Sequence, residues 1–321
     1  MSERPDPALP IPASERSPVQ LAALDFLYQH MYGSRLPMPS LDPAGLCLAD
    51  LPLVARGARR IAVLALGGLP DLLAGAGLLA ALRARAGADR IQVLTKAEGA
   101  PLLDGFQVRP VDPGRYAGDP VYRETVAQAL AEFAPELMVN LDPERAIQGD
   151  DLVNAALPAG AVAHELPARG QDERTIKAAN GAYSLLVPRG AAMFEALGLD
   201  AAAPALWPAR AAREEADGLL ARLGWDPGRT MAVLMEEGAA DPAFQDALAA
   251  AQQAEWTFLG LGDRGGYRRL EGLLDPLEGR AANLAGVLEL DVTAALLGRV
   301  GAFLASGPGL RALARACGCP G

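Results

Sequence analysis

Residues 60–85 read RIAVLALGGLPDLLAGAGLLAALRAR, and this stretch decides the fold. Arg60–Leu66 is a short run of Ile, Val, Leu and Ala without alternation, the pattern of a strand buried on both faces of a parallel sheet. Gly67-Gly68-Leu69-Pro70-Asp71 then reads as a turn and Leu72–Arg85 as a helix. The alternation continues outward: a strand at Ile91–Leu94, a helix at Val121–Phe133, a strand at Leu137–Leu141 and a helix at Glu144–Leu157. Tyr183–Val187 reads as a further strand and Ala191–Leu197 as a short helix. Strands separated by helical stretches of about 10 to 15 residues signal βαβ units on a parallel sheet.

Residues 199–209, LDAAAPALWPA, interrupt the pattern with two prolines and mark a domain boundary, set at 204/205. A helix at 210–223 follows and stops at Gly224. Strands are expected at Met231–Met235, Trp256–Leu261 and Val300–Ala305. Helices are expected at Ala243–Gln253, Tyr267–Leu274, Val292–Leu297 and 309–317. The expected architecture is α/β, with two Rossmann-like, doubly wound domains at 59–204 and 205–321. Ligands of such sheets bind beyond the carboxyl ends of the strands, here in the crevice between the halves. Residues 1–58 form a leader with a disordered start. Ser17-Pro18-Val19-Gln20 begins one helix in it, and a turn-rich wrap follows. The leader either packs on the core or binds a partner.

Composition removes several classes. With 321 residues, 51% of them hydrophobic, the chain can bury two cores, and 21% charged residues is ordinary for a globular protein. A net charge of −10 argues against a nucleic-acid surface. Cys47, Cys317 and Cys319 are too few for a disulfide framework, and the last two lack companions for a zinc site. The polar, proline-rich start is no signal peptide, and no stretch reaches membrane-spanning length. A cytoplasmic protein is expected, with no metal or cofactor.

Four stretches carry candidate chemistry. Gly67 and Gly68 let the backbone approach a ligand, and Asp71 at a helix start is either a general base or an ordinary helix-start carboxylate. Gly260-Leu261-Gly262-Asp263-Arg264-Gly265 matches a dinucleotide fingerprint, although chance matches come easily in a chain with 35 glycines. Ser306-Gly307-Pro308-Gly309 at a helix N-terminus is either a phosphate seat or a turn capped by Ser306. Glu236 and Glu237 after a strand either meet a ribose hydroxyl or are merely solvated. The two histidines, His30 and His164, stand in no nucleophile setting, and His164 closes a possible strand.

Taken together, these stretches resemble the family 9 glycosyltransferases, the ADP-heptose:lipopolysaccharide heptosyltransferase group with the GT-B fold. Residues 60–85 resemble the family's strand, S-S-L-G-D turn and helix, with Asp71 at the place of its catalytic aspartate. Residues 283–320, NLAGVLELDVTAALLGRVGAFLASGPGLRALARACGCP, resemble N-L-A-G-x-x-x-L and then D-S/T-G-P-x-H-L-A-x-A-x-G-x-P. There are departures. Pro70 replaces a glycine, Ala305 the aspartate and Ala312 the histidine. MEEGAADPAF at 235–244 lacks the family's lysine, and the family's further strand and closing helix have no counterpart before Gly321.

The resemblance implies inverting transfer of a heptose-like sugar from a nucleotide diphosphate sugar, ADP-type favoured, to a glycan or lipid-linked acceptor. No metal is required, and peripheral contact with the inner face of a membrane is compatible with it. Asp71 would act as base; Gly67, Gly68, Glu236, Ser306, Gly307, Pro308 and Gly309 would bind nucleotide and phosphate. Arg311 or Arg264 would supply positive charge. A silent GT-B relative that only binds, and a dinucleotide-dependent oxidoreductase built on 256–266, are the alternatives.

Overall fold

A computed structural model describes residues 58–141, 197–235, 242–277 and 279–320, together with Gly149, Leu152, Phe194 and the backbone of three strands between 162 and 186. The leader, and the helices expected at 144–157 and 191–197, lie outside the described residues apart from single positions. The first part of the chain runs β1 (Ile61–Ala65), α1 (Leu69–Ala86), β2 (Ile91–Thr95), β3 (Gln107–Pro110), α2 (Pro113–Gly118), α3 (Pro120–Phe133) and β4 (Leu137–Asn140). Three more strands follow: β5 (Val162–Glu165), β6 (Ile176–Ala179) and β7 (Ala182–Leu186). The second part runs α4 (Arg210–Leu223), β8 (Thr230–Leu234), α5 (Pro242–Gln253), β9 (Thr257–Leu261), α6 (Tyr267–Leu274) and β10 (Ala281–Asn283). It closes with α7 (Leu290–Leu297), β11 (Ala302–Ala305) and α8 (Pro308–Ala316).

The first sheet has the order β3-β2-β1-β4-β5-β7-β6, and β6 pairs antiparallel with β7. The second has the order β10-β9-β8-β11 and is parallel throughout. In each sheet the chain starts at an inner strand, winds to one edge, and returns to the other side of its starting strand. The switch points lie at β1/β4 and β8/β11, where open α/β sheets take ligands.

Burial follows from this layering. β1, β2, β4 and β8 are buried at every position, as strands covered on both faces must be. In the second sheet the two faces alternate. Ala232, Leu234, Leu259 and Leu261 join a cluster with α4, α7 and α8, whereas Met231, Val233 and Phe258 pack with Phe244 and Leu248 of α5 and Leu270 of α6. On α4, Ala212, Ala216 and Leu220 form a buried stripe four residues apart, and Gly224 ends the helix in the left-handed conformation.

By contacts, one compact unit holds Pro113–Gly198 with the start of β1, and the other holds Val63–Asp112 with Leu199–Gly321. The segment 199–209 separates the strands of the two sheets along the chain, yet it is not a free tether. Leu103 and Trp207 form a parallel bridge, with Trp207 N–H donating to Leu102 (2.7 Å) and Asp104 N–H to Trp207 (2.7 Å). Leu206 N–H donates to Ala316 at 2.8 Å. Ala76 of α1 and Leu102 belong to the same apolar cluster as Leu234 and Leu296.

Several boundaries differ from the sequence reading. α1 starts at Leu69 rather than Leu72, because proline is tolerated in a first helical turn; Pro70 and Asp71 are therefore helical. α7 starts at Leu290, and β11 at Ala302 rather than Val300. The strands β3, β6 and β10 and the helix α2 had no counterpart in the sequence reading, while the possible strand closed by His164 is β5, which runs one residue further, to Glu165.

Candidate functional site

The end of β1 leads into Gly67 and Gly68, and α1 begins one residue later. Asp71, in the first turn of this 18-residue helix, is only 3% exposed. Its Oδ2 accepts the Gly67 N–H at 2.7 Å. A Cβ on Gly67 would lie 2.6 Å from Asp71 Oδ1, so only glycine lets the carboxylate fold back over the turn. Gly68 is the N-cap at φ 83° and offers no side-chain cap. A carboxylate in the first turn of a helix, tied to a backbone N–H of the preceding turn, is held in one place.

Two residues beside this turn carry charge that the sequence reading missed. Lys96 and Glu98 follow β2, the strand next to β1. A Cβ on Gly68 would run into Glu98 Oε1 and lie 3.0 Å from Lys96 Cδ, so both side chains cross the glycine. Their position just past the carboxyl end of a strand adjoining a switch point was the available signal.

On the second sheet, the Ser306–Gly309 stretch follows β11 beside β8. The Ser306 N–H donates to Leu234 at 3.0 Å, so it is spent on the sheet and is not a phosphate donor. Ser306 is not the N-cap either. Pro308 takes the first helical position, which makes Gly307 the cap, with no side-chain cap bond. Arg311 N–H reaches back to Gly307 at 3.1 Å, leaving Gly309 and Leu310 as the leading N–H donors of α8. α1 packs against α8, and Leu69 and Leu73 share an apolar cluster with Leu310 and Leu313. The Asp71 turn and the leading turn of α8 thus belong to one unit. Glu236 and Glu237 lie outside the described residues.

Gly260 and Gly262 of the 260–265 stretch meet the protein's own atoms. A Cβ on Gly260 would lie 2.8 Å from Leu274 Cδ1 and 3.0 Å from Asn283 Oδ1, and α6 begins only at Tyr267. Asn283 donates to Tyr267 O at 2.9 Å and accepts from Ala285 N–H at 3.2 Å. Close packing of β9 on β10 therefore accounts for these residues without a dinucleotide. His164 lies in β5, and its side chain is not among those described. Cys319 is buried and Cys317 partly so, and burial pushes their thiols up to about 11 and about 12. Such thiols are protonated and unreactive at neutral pH.

No known family's sequence pattern matches the chain, and no curated protein matches it in sequence. Solved structures match its fold. A family 9 glycosyl transferase from Veillonella parvula superposes with a TM-score of 0.59 at 14% identity, over 82% of this chain and 79% of that one. The ADP-heptose lipopolysaccharide heptosyltransferase II of E. coli gives 0.55 at 17% identity, over 81% and 83%. An E. coli heptosyltransferase solved with ADP-2-deoxy-2-fluoro heptose gives 0.55 at 14% identity, over 81% and 87%. The fold is that of the two-domain, Rossmann-like GT-B proteins. Its likeness to these family 9 and heptosyltransferase structures is one of fold.

Proposed function

We propose that the protein is a glycosyltransferase that moves a heptose-like sugar from a nucleoside diphosphate, ADP-type favoured, to a hydroxyl of a glycan or lipid-linked acceptor, with inversion at the anomeric carbon. The observation that carries this reading is the buried Asp71 carboxylate, anchored to Gly67 N–H at the carboxyl end of β1. Asp71 takes the proton of the acceptor hydroxyl as its oxygen bonds to the anomeric carbon. The bond from that carbon to the diphosphate breaks, and the leaving oxygen carries the released electron pair. The Gly309 and Leu310 N–H groups and the α8 dipole stabilise this charge. Glu236 serves the ribose. The domain division at 204/205 belongs to the same reading, as does a cytoplasmic location at the inner face of a membrane. Among the described residues no helix is long and apolar enough to cross one.

The test is sugar transfer and nucleotide release with ADP-heptose and a lipopolysaccharide-core acceptor, for the wild type and Asp71→Asn. The variant should lose at least about 100-fold in turnover while still binding ADP. Equal turnover overturns the role of Asp71. Ala305 and Ala312, small and apolar where the family carries an aspartate and a histidine, favour one second reading: a silent relative. ADP binding without transfer to any acceptor would establish that reading.

A further inference from the structure

The carboxyl edge of the first sheet carries two opposite charges beside the Asp71 turn. Lys96 and Glu98 flank Ala97, in the step from β2 into the short helical turn Ala97–Leu102. That turn is seated on α1. A Cβ on Gly99 would lie 2.5 Å from Leu72 Cδ1 and 2.9 Å from Thr95 Oγ1, so its backbone rests on the residue that follows Asp71. Gly99 N–H donates to Lys96 O at 3.0 Å and closes the step. The same turn also packs against α7. Lys96 and Glu98 therefore stand on a backbone fixed to the helix that carries the base.

Both side chains cross Gly68, Glu98 with its Oε1 and Lys96 with its Cδ. Adjacent Cα atoms are about 3.8 Å apart, so Glu98 Oε1 over Gly68 and Asp71 Oδ1 over Gly67 are separated by no more than about 12 Å. Glu98 is exposed and Lys96 half-buried. Among the described residues neither side chain has a hydrogen-bond or ion-pair partner, although the two are of opposite charge and share one glycine. A donor and an acceptor thus stand open side by side. A sugar hydroxyl matches them, because it accepts from the ammonium and donates to the carboxylate without adding charge. A phosphate does not match, since it meets one ammonium, that of Lys96, and two carboxylates, those of Glu98 and Asp71.

We infer that Lys96 and Glu98 bind the acceptor by hydroxyls of the sugar unit that carries the attacking oxygen, and that this unit is uncharged. The assignment rests on the glycosyl-transfer reading above and adds the acceptor's class to it. Lys96 donates to a hydroxyl oxygen and Glu98 accepts a hydroxyl proton, which turns the attacking hydroxyl toward Asp71. Neither residue touches the reacting atoms, so both act by positioning.

Isothermal titration of the full chain in the presence of ADP tests this, with wild type, Lys96→Met and Glu98→Gln. The probes are an unmodified lipopolysaccharide-core disaccharide and the same disaccharide phosphorylated on its terminal sugar. The wild type should bind the unmodified form at least about 10-fold more tightly. Each substitution should weaken that form about 10-fold or more and leave ADP within about threefold, because only the sugar loses a charge-assisted hydrogen bond. Glu98→Gln should narrow the preference against the phosphorylated form, and Lys96→Met should widen it. In transfer from ADP-heptose, the loss should fall on the KM for the acceptor and not on that for the donor.

Tighter binding of the phosphorylated form by the wild type, unchanged disaccharide affinity in both variants, or an equal loss of ADP affinity would each overturn the assignment. So would a chain that binds ADP but neither disaccharide. A wild type that binds no ADP, UDP or GDP overturns the glycosyl-transfer reading itself. The two failures are thereby told apart.

Discussion

Gly67 and Gly68 adjoin, yet they do different work. Gly67 makes room for the Asp71 carboxylate, whereas Gly68 supplies a backbone conformation, φ 83°, that an L side chain adopts only with strain. Gly67→Ala should therefore displace Asp71 and cut transfer at least about 10-fold with little change in unfolding temperature. Gly68→Ala should cost about 1 to 3 kcal/mol of stability, since it adds strain and a clash with Glu98. Denaturant unfolding and turnover, measured on both variants, separate the two roles. If Gly67→Ala lost only stability, the cradle would not position the base.

The two cysteines near the end give a residue-scale test at alkaline pH. Their thiols are held neutral by burial, with values of about 12 for Cys317 and about 11 for Cys319 against an ordinary 9.0. Between these limits the unfolded chain loses thiol protons that the folded chain keeps, so the folded form binds more protons and stability falls as pH rises above about 9. Each thiol contributes a slope of at most about 1.4 kcal/mol per pH unit. The double variant Cys317→Ser, Cys319→Ser should show a flatter loss between pH 9 and 11. An unchanged slope would mean that other groups dominate.

At the scale of elements, the segment 199–209 is held by interactions that composition conceals. The Arg83 guanidinium lies 4.7 Å from the Trp207 ring centre and 5.3 Å from that of Phe106, and the two rings are 5.0 Å apart. Arg83 also donates to Asp104 O at 3.2 Å. Trp207→Ala should cost about 2 to 4 kcal/mol, because it removes aromatic packing and the cation stack together. The half-exposed Arg213–Asp104 pair is different, and Asp104→Asn should cost under about 1 kcal/mol in the same melts. A large effect at Asp104 with none at Trp207 would reverse this ranking.

The elements that could be read from sequence are those whose burial writes a pattern. β1, β2, β4, β8 and β9 are apolar runs, and α4 ends at a glycine that adopts the left-handed form. The strands that escaped notice leave no such mark. β3 (QVRP) is half exposed and contains a proline, and β10 (AAN) is three residues long without a branched side chain. Proline shifts helix starts: Pro70 lies inside the first turn of α1 rather than in the turn before it, and Pro308 moves the cap from Ser306 to Gly307. At the site, Asp71 was legible because it falls one turn after a strand and two glycines. Lys96 and Glu98 were not placed by sequence, since their positions depend on which strands are neighbours and on contacts with Gly68.

For the whole molecule, the compact units do not coincide with the two sheets, and this has a consequence for cooperativity. Val63–Asp112 carries most of β1, all of β2 and β3, and α1, yet it groups with Leu199–Gly321. The cause is apolar: Ala76, Leu102 and Leu206 lie in one cluster with Leu234, Leu259 and Leu296, and the 206–207 backbone bonds to both Leu102 and Ala316. Opening any one of these groups exposes the others, so they should open together. Amide hydrogen exchange under native conditions should give the protected amides of α1 and β2 the same opening free energy as those of β8 and β9, within about 1 kcal/mol. The amides of α3 and β4, which belong to the other unit, should open in a separate step with its own denaturant dependence. If α1 instead opened with β4 and independently of β8, the first sheet would be the cooperative unit. In that case the Asp71 turn would not be held in register with α8 by a shared core, and positioning of the base would fall to the ligand.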